Sequence, residues 1–160
     1  MVRLCVLLAM TFWLIVPLQA NDLYLGAATA DISPKLPVAL MGQFHMRIAE
    51  TADTPLYAGI VAIESRDGQT GLDTAVFVSC DLVYISARLR QELREEVAKR
   101  IPGFNVNKII VSATHTHTAP VLEDDLEESS FIYPIPDEGV TKVKDYRALF
   151  VRNVTAAIVE

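Results

Sequence analysis

Residues 74–117 read TAVFVSCDLVYISARLRQELREEVAKRIPGFNVNKIIVSATHTH, and this stretch decides the fold. Thr74 to Cys80 is a short, continuous apolar run, the mark of a strand covered on both faces. Leu89, Leu93 and Val97 then recur at four-residue spacing, which predicts a helix with Ser86 as its N-cap. Glu95 with Lys99, and Glu96 with Arg100, make favourable pairs four apart on its wet face. Pro102-Gly103 ends it. Lys108 to Ala113 is a second buried-type strand. Strand, helix, strand is a βαβ unit, so the two strands lie parallel, with a right-handed crossover. Parallel strands end at one edge of a sheet, and that edge is where ligands bind in such folds. Asp81 closes the first strand and His115 follows the second, so two reactive residues far apart in sequence meet there.

Outward from this unit, Tyr24 to Ala30 reads as a strand, broken at Asp31-Ile32-Ser33-Pro34. Asp31 suits an Asx-turn there. Leu56 to Ser65 alternates weakly and is a further strand, ended at Arg66-Asp67-Gly68. Glu123 to Glu128 is acidic without the glycine and spacing of a calcium loop, and reads as a solvated loop. Val143, Tyr146, Phe150, Val154, Ala157 and Ile158 mark a final helix that runs to Glu160 without a cap. The class is α/β, a mixed sheet containing a βαβ unit. The uncapped end leads us to expect an N-terminal portion of a larger α/β catalytic domain.

The chain has 160 residues, 51% hydrophobic and 21% charged, which suits one folded domain and excludes a disordered or repeat protein. Its net charge of −6, with no basic stripe, argues against nucleic acid as a partner. Residues 1–20 begin with Arg3, run apolar from Leu4 to Leu18 and end at Ala20. This is the form of a secretory signal cut after Ala20, with an uncleaved N-terminal anchor as the alternative. Cleavage leaves residues 21–160 without a membrane-spanning segment, secreted or periplasmic. It also leaves Cys80 as the sole cysteine, which rules out an internal disulfide. Cys80 sits in a buried-type strand beside Asp81; both features disfavour the thiolate and make it inert. Asn153-Val154-Thr155 matches a glycosylation sequon but falls inside the final helix, where we read it as chance.

The chemistry concentrates in Thr114-His115-Thr116-His117-Thr118-Ala119-Pro120, which holds two of the three histidines. In an extended segment, residues two apart face the same side, so both imidazoles can address one ligand. Imidazole is a favoured zinc ligand, and the flanking threonines can orient the rings. The competing reading is a polar turn with surface histidines. A metallo-β-lactamase centre is excluded, because Ala119 and Pro120 stand where that class places an Asp and a third His. Asp81 is either a site residue, as metal ligand or holder of an imidazole tautomer, or the cap of the following turn. His45 has no partner in sequence and reads as structural.

Several segments together resemble the neutral/alkaline (non-lysosomal) ceramidase family, at the start of its catalytic domain. They are Gly26 to Pro34, Met41-Gly42, Leu56-Tyr57-Ala58, Val76 to Leu82, and Ser112 to Pro120, in that order. The resemblance implies a zinc (Zn2+)-dependent amidohydrolase that cleaves an N-acyl amide of a ceramide-like, amphipathic substrate. It implies His115 as a metal ligand and His117 as catalytic acid/base or oxyanion partner. The family continues the block as Ser-Gly-Pro-Gly-Gly, whereas this chain has Thr118-Ala119-Pro120-Val121-Leu122. It carries basic residues near Leu56, where this chain has Pro55 and Gly59. Its remaining ligands, a second His, a Glu and a Tyr, come from later segments, and no His follows His117 here. The expectation is therefore a truncated ceramidase-like hydrolase. A non-catalytic, exported metal-binding or remnant domain is the alternative, and an esterase with the same metal chemistry stays open.

Overall fold

The structure, a computed structural model, describes residues 21–123 and 134–160. Residues 1–20, expected to be a signal segment, and most of the acidic run lie outside the described residues. In chain order the elements are β1 (Asp22–Asp31), β2 (Val38–Leu40), β3 (Arg47–Ala49), β4 (Tyr57–Asp67) and β5 (Thr70–Cys80). Then come α1 (Ala87–Arg100), a 3-10 turn (Val106–Lys108), β6 (Ile109–Ala113) and α2 (Val143–Val159). The main sheet has the order β1-β4-β5-β6. β1 and β5 flank β4 antiparallel, and β6 runs parallel to β5, from Val76 opposite Ile109 to Cys80 opposite Ala113. The expected βαβ unit is present, and the sheet is mixed.

Each element follows from its residues. β4 and β5 form a hairpin closed by Gly68-Gln69, with Gly68 at φ 56° supplying the positive φ that a two-residue turn demands. A register shift at Ser65/Arg66 leaves Leu72 as an extra residue. α1 starts at Ser86, whose hydroxyl accepts from the Leu89 amide at 2.9 Å. Along its wet face Lys99 takes Glu96 at 2.8 Å rather than the Glu95 expected, and Arg88 takes Glu92 at 3.0 Å. Exposed pairs of this kind contribute little.

Both helices cover one face of the sheet. Leu89, Leu93 and Val97 of α1 meet Tyr146, Phe150 and Val154 of α2 above Ala58, Ile60, Val76 and Val78. The opposite face is open. Ala27, Val61, Phe77 and Ile110 stand side by side across the four strands, and Phe77 is 45% exposed. This corrects the expectation that residues 74–80 and 108–113 are covered on both faces. In a continuous apolar run every residue is equally apolar, yet the fold buries only every second one.

Two further elements carry no sequence signal strong enough to place them. β2 and β3 pair as a separate antiparallel ribbon, Val38 opposite Ala49 and Leu40 opposite Arg47. The acidic run also departs from expectation at its first residue. Glu123 is 1% exposed; it accepts a hydrogen bond from the Ser86 hydroxyl and lies 3.8 Å from the Arg147 guanidinium. A buried carboxylate is tolerable only with such partners. Among the described residues, no helix is long and apolar enough to cross a membrane.

The asymmetry of the sheet has a measurable consequence. Leu93→Ala, at a fully buried position, is expected to lower stability by about 3 kcal/mol. Phe77→Ala, on the open face, should lower it clearly less, although it removes more atoms. Urea unfolding of both variants checks this; equal losses would mean that the open face is covered.

Candidate functional site

The carboxyl edge of β5 and β6 assembles the site. The Thr114 amide donates to the Cys80 carbonyl at 2.9 Å, carrying the parallel pairing one step past the strands. Here Asp81 meets the histidine segment through Thr114, whose hydroxyl donates to Asp81 Oδ1 at 3.3 Å. Asp81 Oδ2 accepts the Tyr57 amide at 3.0 Å, and the Asp81 amide donates to the Tyr57 carbonyl at 2.9 Å. Both carboxylate oxygens are thus engaged in holding the ends of β4 and β5 and the start of the next segment. Asp81 bonds neither imidazole.

The partner that orients His115 is one that sequence reasoning missed. His115 Nδ1 lies 2.7 Å from the Val83 carbonyl oxygen. A carbonyl only accepts, so Nδ1 carries the proton and donates. Nε2 of the neutral ring is then left with its lone pair, the form in which imidazole binds a metal. Nothing in the residue type of Val83 announces this, because the backbone supplies the oxygen.

His117 converges on the same point. Its Nε2 lies 3.3 Å from His115 Nε2, with the two rings edge to face at a centroid distance of 4.9 Å and 81° between planes. The rings do face one spot, but not through extended alternation. His115 adopts φ 64°, the left-handed region, and this turn swings the two side chains together. For a residue with a Cβ that conformation costs about 1 kcal/mol. It recurs where surroundings over-determine the backbone.

Those surroundings come from both sides. After the turn, the Met41 amide donates to the Ala119 carbonyl and the Val121 amide to the Ala39 carbonyl, each at 2.9 Å. The second ribbon thus grips the segment leaving the site. Arg47 Nη2 donates to the His117 carbonyl at 2.8 Å and Gln43 Nε2 at 3.4 Å. Both histidines are nevertheless solvent-exposed. A cleft of about 290 Å³ shares Thr118 and Pro120 with this segment; Leu36, Leu40 and Leu56 line it together with polar Thr51, Asp53 and Thr54. A larger cleft, about 620 Å³, lies between α1 and α2 and includes none of the histidine residues.

The other sequence candidates separate from the site. Asp31 forms the expected Asx-turn, accepting the Ser33 amide at 2.8 Å, and hydrogen bonding from Ser33 lowers its carboxyl below the usual range. His45 is exposed between β2 and β3. Asn153 lies inside α2 with its side-chain amide donating to the Asp31 carbonyl at 2.8 Å, and Thr155 is buried. Cys80 is fully buried; burial, with the Asp81 charge adding to it, pushes the thiol up to about 12.

The donor set meets zinc part way. His115 Nε2 and His117 Nε2 can address one ion, and imidazole suits zinc. Among the described residues there is no group of three or more His, Cys, Asp or Glu placed to hold a metal. A catalytic zinc takes three protein ligands and an open position. This segment therefore contributes at most two of them.

No family model matches the chain, and no curated protein matches it. Solved structures do. The neutral ceramidase from Pseudomonas aeruginosa superposes with a TM-score of 0.69 at 18% identity, over 88% of this chain and 21% of that one. A ceramidase complexed with C2 gives 0.63 at 20% identity, over 86% and 20%. The fold is thus an α/β sandwich portion with its reactive segment at the carboxyl edge of a parallel strand pair. More particularly, it is a neutral ceramidase-like fold. The chain spans about a fifth of the length of those two structures.

Two outcomes test this account. Iodoacetamide at pH 8 should leave the Cys80 peptide unlabelled in the native chain and label it in urea, as peptide mapping would read. The unfolded thiol ionises from 9.0 upward while the folded one holds its proton to about 12, so Cys80 makes the fold lose stability as pH climbs through that window. Asp81→Ala should lower stability by about 2 kcal/mol, through the loss of hydrogen bonds to a charged acceptor. It should alter zinc affinity far less than His115→Ala does; comparable losses in calorimetry would make Asp81 a ligand.

Proposed function

We propose that this chain carries part of the centre of an exported, zinc-dependent amidohydrolase of the ceramidase type, acting on an N-acyl amide. The observation that carries the reading is the convergence of His115 and His117 at the carboxyl edge of a neutral ceramidase-like fold. The quoted sequence segments, T-H-T-H above all, support the same assignment. Export rests on the form of residues 1–20.

In this reading His115 is the zinc ligand through Nε2, its ring set by the Val83 carbonyl. Zinc bound there supplies polarisation of an amide carbonyl and a lowered pKa for a bound water. With the Nε2 lone pair of His115 committed to zinc, His117 Nε2, 3.3 Å away, finds no acceptor in His115 and is left to face the substrate. His117 is thereby the group able to donate to a developing oxyanion or to a leaving amine. Asp81 acts at one remove: it holds Thr114, and so the start of the histidine segment. The cleft that shares Thr118 suits an aliphatic arm of an amphipathic amide. The remaining ligands come from outside the described residues.

A second reading has its own observation. With no group of three ligating side chains among the described residues, the chain is also suited to bind zinc without turning over an amide. Calorimetric zinc titration of the 160-residue chain, with a fluorogenic N-acyl amide assayed in parallel, separates the two. Binding on the order of micromolar, abolished by His115→Ala, is expected. Amide turnover lost with the same substitution supports the hydrolase. Amide turnover excludes the second reading, binding without turnover is what that reading expects, and absence of binding overturns both.

A further inference from the structure

We infer that Gly42 is a positioning residue for His117, and that the segment from Gly42 to Arg47 is the frame that sets the second imidazole against the first. The inference deepens the reading of His115 and His117 as one site, and does not depend on the reaction assigned to it.

His117 is exposed, and an exposed imidazole ordinarily turns about its side-chain torsions. Unlike His115, whose Nδ1 is tied to a backbone carbonyl, His117 has, among the described residues, only its Nε2 approach to His115 to orient the ring by hydrogen bonding. What limits it is contact with backbone. A Cβ built on Gly42 would lie 2.8 Å from His117 Cγ, 2.9 Å from Nδ1 and 3.2 Å from its Cβ. The Gly42 backbone therefore fills the space on that side of the ring, and any side chain there must displace it. Gly42 also sits at φ 88°, so two independent requirements demand glycine.

The rest of the frame acts on the backbone of His117. Arg47 and Gln43 both donate to its carbonyl, and the Met41 amide takes the Ala119 carbonyl two residues on. Ring and carbonyl of one residue are thus held by a loop 70 or more positions away in sequence. Rotation of that ring would separate the Nε2 atoms that now meet at 3.3 Å. A metal at His115 would then lose the neighbour that either shares it or hydrogen-bonds beside it.

The test needs a variant with the same backbone strain and no ring contact, and Gly103 provides it. Gly103 has φ 85° and nothing within 4 Å of a built Cβ. Gly42→Ala and Gly103→Ala are compared in the 160-residue chain by two readouts. One is the nuclear Overhauser contact between the His115 and His117 ring protons, without metal. The other is calorimetric titration with zinc alone. Gly42→Ala should lose the ring contact and weaken zinc binding about tenfold, the usual effect of disturbing a residue that orients a ligand. Gly103→Ala should keep both. A retained ring contact in Gly42→Ala, or equal loss in Gly103→Ala, overturns the inference. If Gly42→Ala does not fold, Arg47→Gln takes its place; a ring contact and affinity unchanged in that variant would overturn the frame. Should wild-type protein bind no zinc, the functional reading falls while the ring contact still decides this one.

Discussion

The parallel ladder between β5 and β6 is the constraint on which the rest depends. Parallel neighbours cannot be joined by a tight turn, so the chain must cross over through α1. That crossover puts Leu89, Leu93 and Val97 onto the sheet and creates the buried layer that α2 completes. It also brings the ends of both strands to one edge, Cys80 beside Ala113. Every contact made by Asp81, Val83 and the histidine segment follows from that alignment. A one-residue slip would send the whole set to the other face.

A second constraint works on the exit from the edge. The histidine segment leaves β6, turns at His115 and is gripped by Ala39 of β2 and by Met41 just beyond it. The left-handed residue is held at both ends, so its local cost is met by hydrogen bonds that are already required. The Ser86–Glu123–Arg147 cluster anchors the same segment further along, at the start of α1. The site is exposed, yet its backbone is tied to β2, β6 and α1, which is how a loop keeps two imidazoles at hydrogen-bond distance.

The elements with strong periodicity were legible. Leu89, Leu93 and Val97 spaced by four, with Ser86 before them, define α1 to within a residue or two. The runs at 56–65, 74–80 and 108–113 fall inside strands except at their edges, where Leu56 precedes β4 and Lys108 closes the 3-10 turn. The ribbon of β2 and β3 was not legible, because three-residue strands carry no usable alternation. Val38, Ala39 and Leu40 are set by what they pair with, including the segment after His117. The open face misled for a related reason: Phe77 and Val78 are equally apolar, and composition cannot tell which one a helix covers. Glu123 shows the converse, a charged residue in an acidic run that the fold buries because Ser86 and Arg147 are waiting for it.

What the sequence determined by itself was the βαβ unit, the edge to which it leads and the pair of histidines that edge presents. These depend on local spacing and on the chirality of strands and crossovers, which short stretches encode. Tertiary structure decided how the pair is used. The turn at His115, the Val83 carbonyl on its Nδ1, and Gly42 against the His117 ring are contacts between backbone and side chain. Backbone groups are the same in every residue, so no reading of side-chain identity could have assigned them.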